Sequence, residues 1–299
     1  MIEKKTLRLN NGTLMDYSML LILNKTYDKF TQKEREGRVL RVKESLENFG
    51  LYLAEPLWSI LNSLKAEGNL TLIDLLEQND SAHDVEHSLF VYENLHKCFC
   101  TYGFKFEWLN KIDNSNGLID LNLFFILFAL IHDAWSKVDR ENHNIKAGDY
   151  VWKLATHLQK LGMVKDQDLE ALEILTLACR ICRSKVDSNL TSDKETEVYS
   201  FFKAADLGPL DLLPMLKRMF SYRLTQDETS AKSFDNVLKS SMEHLNSKYS
   251  RNGYVKLTRV WNAVYNSHGE LEDFYNEVDE FSKLLGLESS IGESVCLKE

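Results

Sequence analysis

Helix breakers are scarce in this chain: three prolines (Pro56, Pro209 and Pro214) and 13 glycines in 299 residues. Proline lacks the backbone donor and glycine pays most to be ordered, so few of either argues for long helices and against a strand-and-turn fold. Cysteine is scarce too, with five residues at irregular spacing (Cys98, Cys100, Cys179, Cys182 and Cys296). An odd, unpatterned set excludes a disulfide framework and suits a reducing compartment. Long apolar runs are missing. The longest, 123–131, is far shorter than the roughly 20 residues a membrane helix needs. The first ten residues carry Glu3, Lys4, Lys5 and Arg8 with no apolar segment behind them, unlike a secretory signal. The expectation is a cytoplasmic protein. The polar tail ESVCLKE leaves an exported bacterial effector as a weaker alternative.

Positive charge is in deficit, with 36 Lys and Arg against 45 Asp and Glu and a net charge of −9. Such a surface repels polyanions, so duplex nucleic acid and anionic membranes are not expected partners. A small phosphorylated substrate remains compatible, because a bound cation or a local basic pocket holds an anion against the global sign. The composition says nothing about oligomeric state.

Against these absences stands helical periodicity over most of the chain. Helices are expected at 31–49, 52–66, 70–77, 84–101, 119–132, 143–161, 167–184, 193–206, 210–222, 231–249, 254–267 and 270–285. Thr31 with Glu34 three places on makes a capping box for the first. Residues 4–16 alternate apolar and polar around Asn10-Asn11-Gly12, a small hairpin pattern. The segments 103–118 and 185–192 read as loops. The fold class is therefore all-α: an N-terminal hairpin and helical extension at 1–69, a core at 70–225, and C-terminal helices packing on that core at 226–299.

The helix at 119–132 is apolar nearly all round (LFFILFALI) and belongs at the centre of a bundle. It ends in His132-Asp133, two polar residues that need partners at a buried helix end. Two more histidines, His83 and His87, are four residues apart and share a helix face or its leading turn. Asp206 closes the helical run KAAD, with Leu207 between it and the Gly208-Pro209 break.

The order His87 … His132-Asp133 … Asp206 resembles the HD superfamily of metal-dependent phosphohydrolases over about 70–225. The resemblance implies an HD-type helical bundle, one divalent metal ion held by His87, His132, Asp133 and Asp206, and hydrolysis of a small phosphate ester, such as a nucleotide. Two imidazoles and two carboxylates suit Mn²⁺, Fe²⁺, Co²⁺, Ni²⁺, Zn²⁺ or Mg²⁺ without choosing among them. The segment His83-Asp84-Val85-Glu86-His87 is similar to the His-Asn-x-x-His segment of class I cyclic-nucleotide phosphodiesterases, with Asp84 in place of Asn. That similarity implies His83 as general acid, with a capping histidine as the plain alternative. Catalytic roles fall on His83, Asp133 and His143, the last being otherwise a polar helix start. Binuclear members carry further histidines after the His-Asp pair, whereas Ala134, Trp135, Ser136 and Lys137 follow here, which favours one metal. Asp139 or Glu141 are candidates to orient water.

Lys137, Lys146 and Lys203 are the candidate phosphate-binding residues, with Arg140, Arg180 and Arg183 behind them. Each has a solvated helix charge as its plain alternative. Cys179 and Cys182 form one CxxC with no second pair, which reads as buried structural cysteine over a zinc or redox site. Phe124-Phe125 and Phe201-Phe202 read as core over a base-stacking platform. The rival functions are a non-catalytic metal- or nucleotide-binding regulator on the same fold and, further off, an HD-type di-iron oxygenase.

Overall fold

The computed structural model describes residues 42–78, 83, 85–182, 190–224 and 234–287. The expected hairpin at 4–16, the start of the helix at 31–49, Asp84, Arg183 and Cys296 lie outside them. The described fold is all-α with one short hairpin. In chain order the elements are α1 (Val42–Asn48), α2 (Glu55–Ser63), β1 (Lys65–Glu67), β2 (Leu70–Thr71), α3 (Leu72–Gln78), α4 (Val85–Thr101), a 3-10 turn (Gly103–Lys105), α5 (Glu107–Asp113), α6 (Leu121–Ile131), α7 (His143–Lys160), α8 (Asp166–Ile181), α9 (Asp193–Leu207), α10 (Leu212–Leu224), α11 (Phe234–Tyr249), α12 (Arg259–Tyr265) and α13 (Glu270–Leu284). No described helix is long and apolar enough to cross a membrane.

The chain divides into two compact units. The first, Arg38–Pro209 with Lys256–His268, is built around α6. Asp120 caps that helix by accepting from Leu123 N at 2.7 Å, and the helix runs on through nine buried residues. It packs against α4, α5 and α8. The two aromatic pairs are core: Phe202 lies 4.2 Å from Phe128 between ring centroids, and Phe201 stacks on Phe125 at 6.0 Å. Helix α9 starts at a capping box, with Ser192 Oγ accepting from Glu195 N and the Glu195 carboxylate accepting from Ser192 N. It packs on α4, α8 and α12.

The second unit takes in Leu210–Val255 and the segment from Gly269 onward. Here α10, α11 and α13 enclose Leu216, Phe220, Val237, Met242, Leu245, Val278 and Phe281. Asn246 donates to Ser282 Oγ at 2.7 Å between α11 and α13.

Two expectations are corrected. The segment 103–118 contains α5, which buries Trp108, Leu109 and Ile112. A seven-residue helix has little stability of its own and exists because its apolar face is buried, whereas Gly103 and the Asn114–Gly117 stretch around it look like loop. The helix expected at 52–66 stops at Ser63, and 65–67 pair antiparallel with 70–71. Gly68, at φ +55°, makes that reversal, a conformation that glycine enters without strain.

Candidate metal centre

Three helix ends of the first unit meet at one point. His87 sits in the first turn of α4, buried to 7% exposure, with Phe90 stacked on its ring at 6.3 Å. His132 is the C-cap of α6 and is 3% exposed. Phe128 stacks on it at 4.9 Å and 12°. Asp133 follows directly, and Asp206 lies in the last turn of α9.

The last turn of α9 reaches α4 because of Gly208. This residue has φ +64°, and a Cβ there would stand 2.3 Å from Phe90 Cζ and 2.8 Å from Asn94 Nδ2. Only glycine fits both the backbone angle and the approach. Trp261 Nε1 donates to Gly208 O at 2.7 Å and fixes the turn.

The four ligand-type atoms lie within 4.8 Å of one another. His87 Nε2 is 3.5 Å from both Asp133 Oδ2 and Asp206 Oδ1. His132 Nε2 is 3.5 Å from Asp133 Oδ2 and 3.8 Å from Asp206 Oδ1. These separations exceed those of good hydrogen bonds. Atoms so spaced stand roughly 2.1–2.5 Å from a common centre, close to the roughly 2.0–2.2 Å of nitrogen and oxygen ligands on zinc.

His132 supplies an independent test of fit. Its Nδ1 is 3.1 Å from Phe128 O and from Ala129 O. Both neighbours are acceptors, so Nδ1 carries the proton and donates. In the neutral ring Nε2 is then a bare acceptor, and it is buried with no hydrogen-bond partner. Without a cation that nitrogen either stays unsatisfied, at a cost of about 1–3 kcal/mol, or takes a proton toward Asp133 and Asp206, the direction in which His132 is raised. A cation at the centre removes that penalty, so the group His87, His132, Asp133 and Asp206 can hold a metal ion.

The electrostatics agree. Burial works against ionisation of Asp133, but His132, His87 and His83 outweigh it and hold the carboxyl well below the usual range. For Asp206 burial is likewise opposed, by Lys203, His132 and His87, with the same net direction. Burial alone would depress His132, yet Asp133, Asp206 and the Phe128 carbonyl raise it. Both carboxylates are therefore ionised and ready to ligate at neutral pH.

The other candidates divide. His83 Nε2 is 4.0 Å from Asp133 Oδ2. His143, the first residue of α7, brings Nε2 to 3.4 Å from Asp133 Oδ1, and its Nδ1 meets Arg140 O at 2.7 Å. The two oxygens of Asp133 thus face different histidines. Lys203 is buried, and its Nζ is 2.7 Å from Asp206 Oδ2. Lys146 bridges Glu67 at 2.9 Å and Asp139 at 3.3 Å, and Asp139 also accepts from Asn142 N. Lys137, Arg140 and Glu141 are exposed. Arg180 pairs with Asp149 at 2.7 Å.

Cys179 and Cys182 are buried free thiols. Burial pushes both up, helped by Asp133 for Cys179 and mainly by Asp206 for Cys182, so both are protonated. Sequence reading missed the stacking of Phe90 and Phe128 on the two histidines. Each is a near neighbour on the same helix, at i+3 from His87 and i−4 from His132, and that spacing was the available signal. No protein-family model, curated protein or solved structure matches this chain.

Proposed function

We propose that the protein is a metal-dependent phosphohydrolase acting on a small phosphate ester, with a nucleotide as the expected substrate and one divalent ion at the centre. One observation carries the reading: two imidazole nitrogens and two carboxylate oxygens converge from three helix ends, and one of those nitrogens is buried with no hydrogen-bond partner. The order of these residues along the chain, which resembles the HD superfamily, adds the phosphate chemistry.

His87, His132, Asp133 and Asp206 would hold the ion. When bound, it supplies Lewis acidity, which acidifies water and offsets charge building on phosphorus. Asp133 turns Oδ2 toward His87 and His132 and Oδ1 toward His143. His83 and His143 each bring an Nε2 to the carboxylate of Asp133, where a proton can be held for the departing ester oxygen. The oxygen of water would add to phosphorus as one of its protons passes to the Asp133–His143 pair, the phosphorus–oxygen ester bond would break, and the leaving oxygen would take the proton held at His83.

The test is turnover together with metal content. Purified protein is analysed for bound metal and assayed on nucleoside monophosphates, cyclic nucleotides and aryl phosphates with added Mn²⁺, Ni²⁺ or Co²⁺. Metal-dependent hydrolysis lost in Asp133→Ala is expected. One metal per chain with no turnover on any of these esters would favour a binding or regulatory protein. A folded chain that takes up no metal would remove the basis of the reading.

A further inference from the structure

We infer that Lys203 is a charge-setting residue: it grips the outer oxygen of Asp206 and leaves the metal-loaded centre with one surplus positive charge, which an anionic ligand completes. The inference rests on the metal centre proposed above and deepens it.

The position of Lys203 is unusual for a lysine. It lies on α9 one turn before Asp206, between Phe202 and Ala204, all three buried. Lysine is almost never buried unless paired, and here the partner is the carboxylate that also faces the two histidines. Asp206 divides its oxygens, with Oδ2 on Lys203 at 2.7 Å and Oδ1 toward His87 and His132 at 3.5 and 3.8 Å. With Oδ2 gripped, Oδ1 is the oxygen that would ligate.

The charge count follows. Two neutral imidazoles and two carboxylates carry −2, a divalent cation cancels them, and Lys203 adds +1. Two other candidate cations are already taken up: Lys146 is held by two carboxylates, Glu67 and Asp139, and Arg180 by Asp149, so neither adds positive charge to the centre. Lys203 Nζ is held on Asp206 Oδ2, while Oδ1 faces the histidines. It therefore acts through the field at the centre, as a positioning residue. A surplus charge in a partly desolvated site attracts phosphate more strongly than the same charge in water. This also reconciles an anionic ligand with a chain of net charge −9.

The experiment measures binding, with no turnover required. Mn²⁺-loaded full-length wild type, Lys203→Met, Lys203→Gln and Lys203→Arg are analysed for metal per chain. Each is then titrated with inorganic phosphate by calorimetry. Gln keeps a hydrogen bond to Asp206 without the charge, whereas Arg keeps the charge. Phosphate affinity is expected to fall about tenfold in Met and Gln, about 1.4 kcal/mol, and to stay within about threefold in Arg, with one metal per chain in all four. If Gln binds phosphate like wild type, Lys203 is only a tether and the inference is overturned. It is equally overturned if Arg falls as far as Met, because then lysine packing is what counts. Wild type that holds one metal but no phosphate sinks the charge reading and leaves the metal centre standing. Wild type that takes up no metal sinks both.

Discussion

Replacing Asp133 by asparagine puts the centre to a quantitative test. The substitution keeps shape and removes one carboxylate charge from a side chain that is 18% exposed and stands 3.5 Å from both His87 and His132. For wild type, a cation at a hundred times its dissociation constant stabilises the fold by about 2.7 kcal/mol. In a unit of this size each kcal/mol moves the melting midpoint by about 2–4 °C, so a rise of about 5–11 °C over the chelator-treated protein is expected. If Asp133→Asn weakens cation binding a hundredfold, the gain at the same concentration drops to about 0.4 kcal/mol, or about 1–2 °C. Asp139→Asn is the matched control. It removes the same charge six residues on, where the carboxylate is engaged by Asn142 and Lys146. Differential scanning fluorimetry with Mn²⁺, Co²⁺, Ni²⁺ and Zn²⁺ in turn reads all three proteins. The reasoning is refuted if wild type shifts with none of these ions, or if Asp139→Asn loses as much of the shift as Asp133→Asn.

Other consequences can be checked separately. In metal-free protein His132 is raised and the two carboxyls are depressed. Stability from the carboxylates is present above the ordinary carboxyl range and is lost as pH falls through their lowered values. Stability from the His132 proton is full below about pH 6.5 and is lost as pH rises through its raised value. The cation displaces that proton, so the metal-induced melting shift should grow as pH rises through the raised value, and a shift unchanged between pH 6 and 9 would contradict this. Gly208→Ala should destabilise by about 1–3 kcal/mol from backbone strain alone, with a further loss from overlap with Phe90; urea unfolding without a shift in midpoint would count against it. In a Cys296→Ser background, a thiol reagent should label exposed Cys100 quickly and buried Cys98, Cys179 and Cys182 only on unfolding. Rapid labelling of Cys182 in the native state would show the end of α8 to be open.

Much of this was legible because the residues that carry it are local signals. His132-Asp133 stood out as polar groups closing an apolar helix, and the structure puts them at the buried end of α6. His87 and Asp206 were legible through their order along the chain. Where tertiary context decides, the sequence was silent or misleading. Helix α5 exists because Trp108, Leu109 and Ile112 are buried, and no local propensity announces that. Lys203 and Lys146 read as phosphate ligands from their charge, yet each faces a carboxylate. The choice between a solvated charge, a substrate contact and an ion pair depends on which helices meet, a long-range property absent from spacing. The grip of Lys203 on Asp206 was nonetheless visible as an i,i+3 pair of opposite sign.

One bond pattern described above joins two properties usually treated apart. The carbonyl of Phe128 receives the backbone N–H that ends α6, at 3.0 Å, and it also receives Nδ1 of His132. Helix termination and ligand aim are thus set by the same atom. Fraying the last turn of α6 would swing the imidazole as it released the backbone, so a change deep in the Phe124–Phe202 packing should register as altered cation affinity before it registers as lost structure. Conversely, a cation pulling on Nε2 would tighten the helix end from outside. A survey of core variants scored by metal affinity would map how far into the bundle that coupling extends.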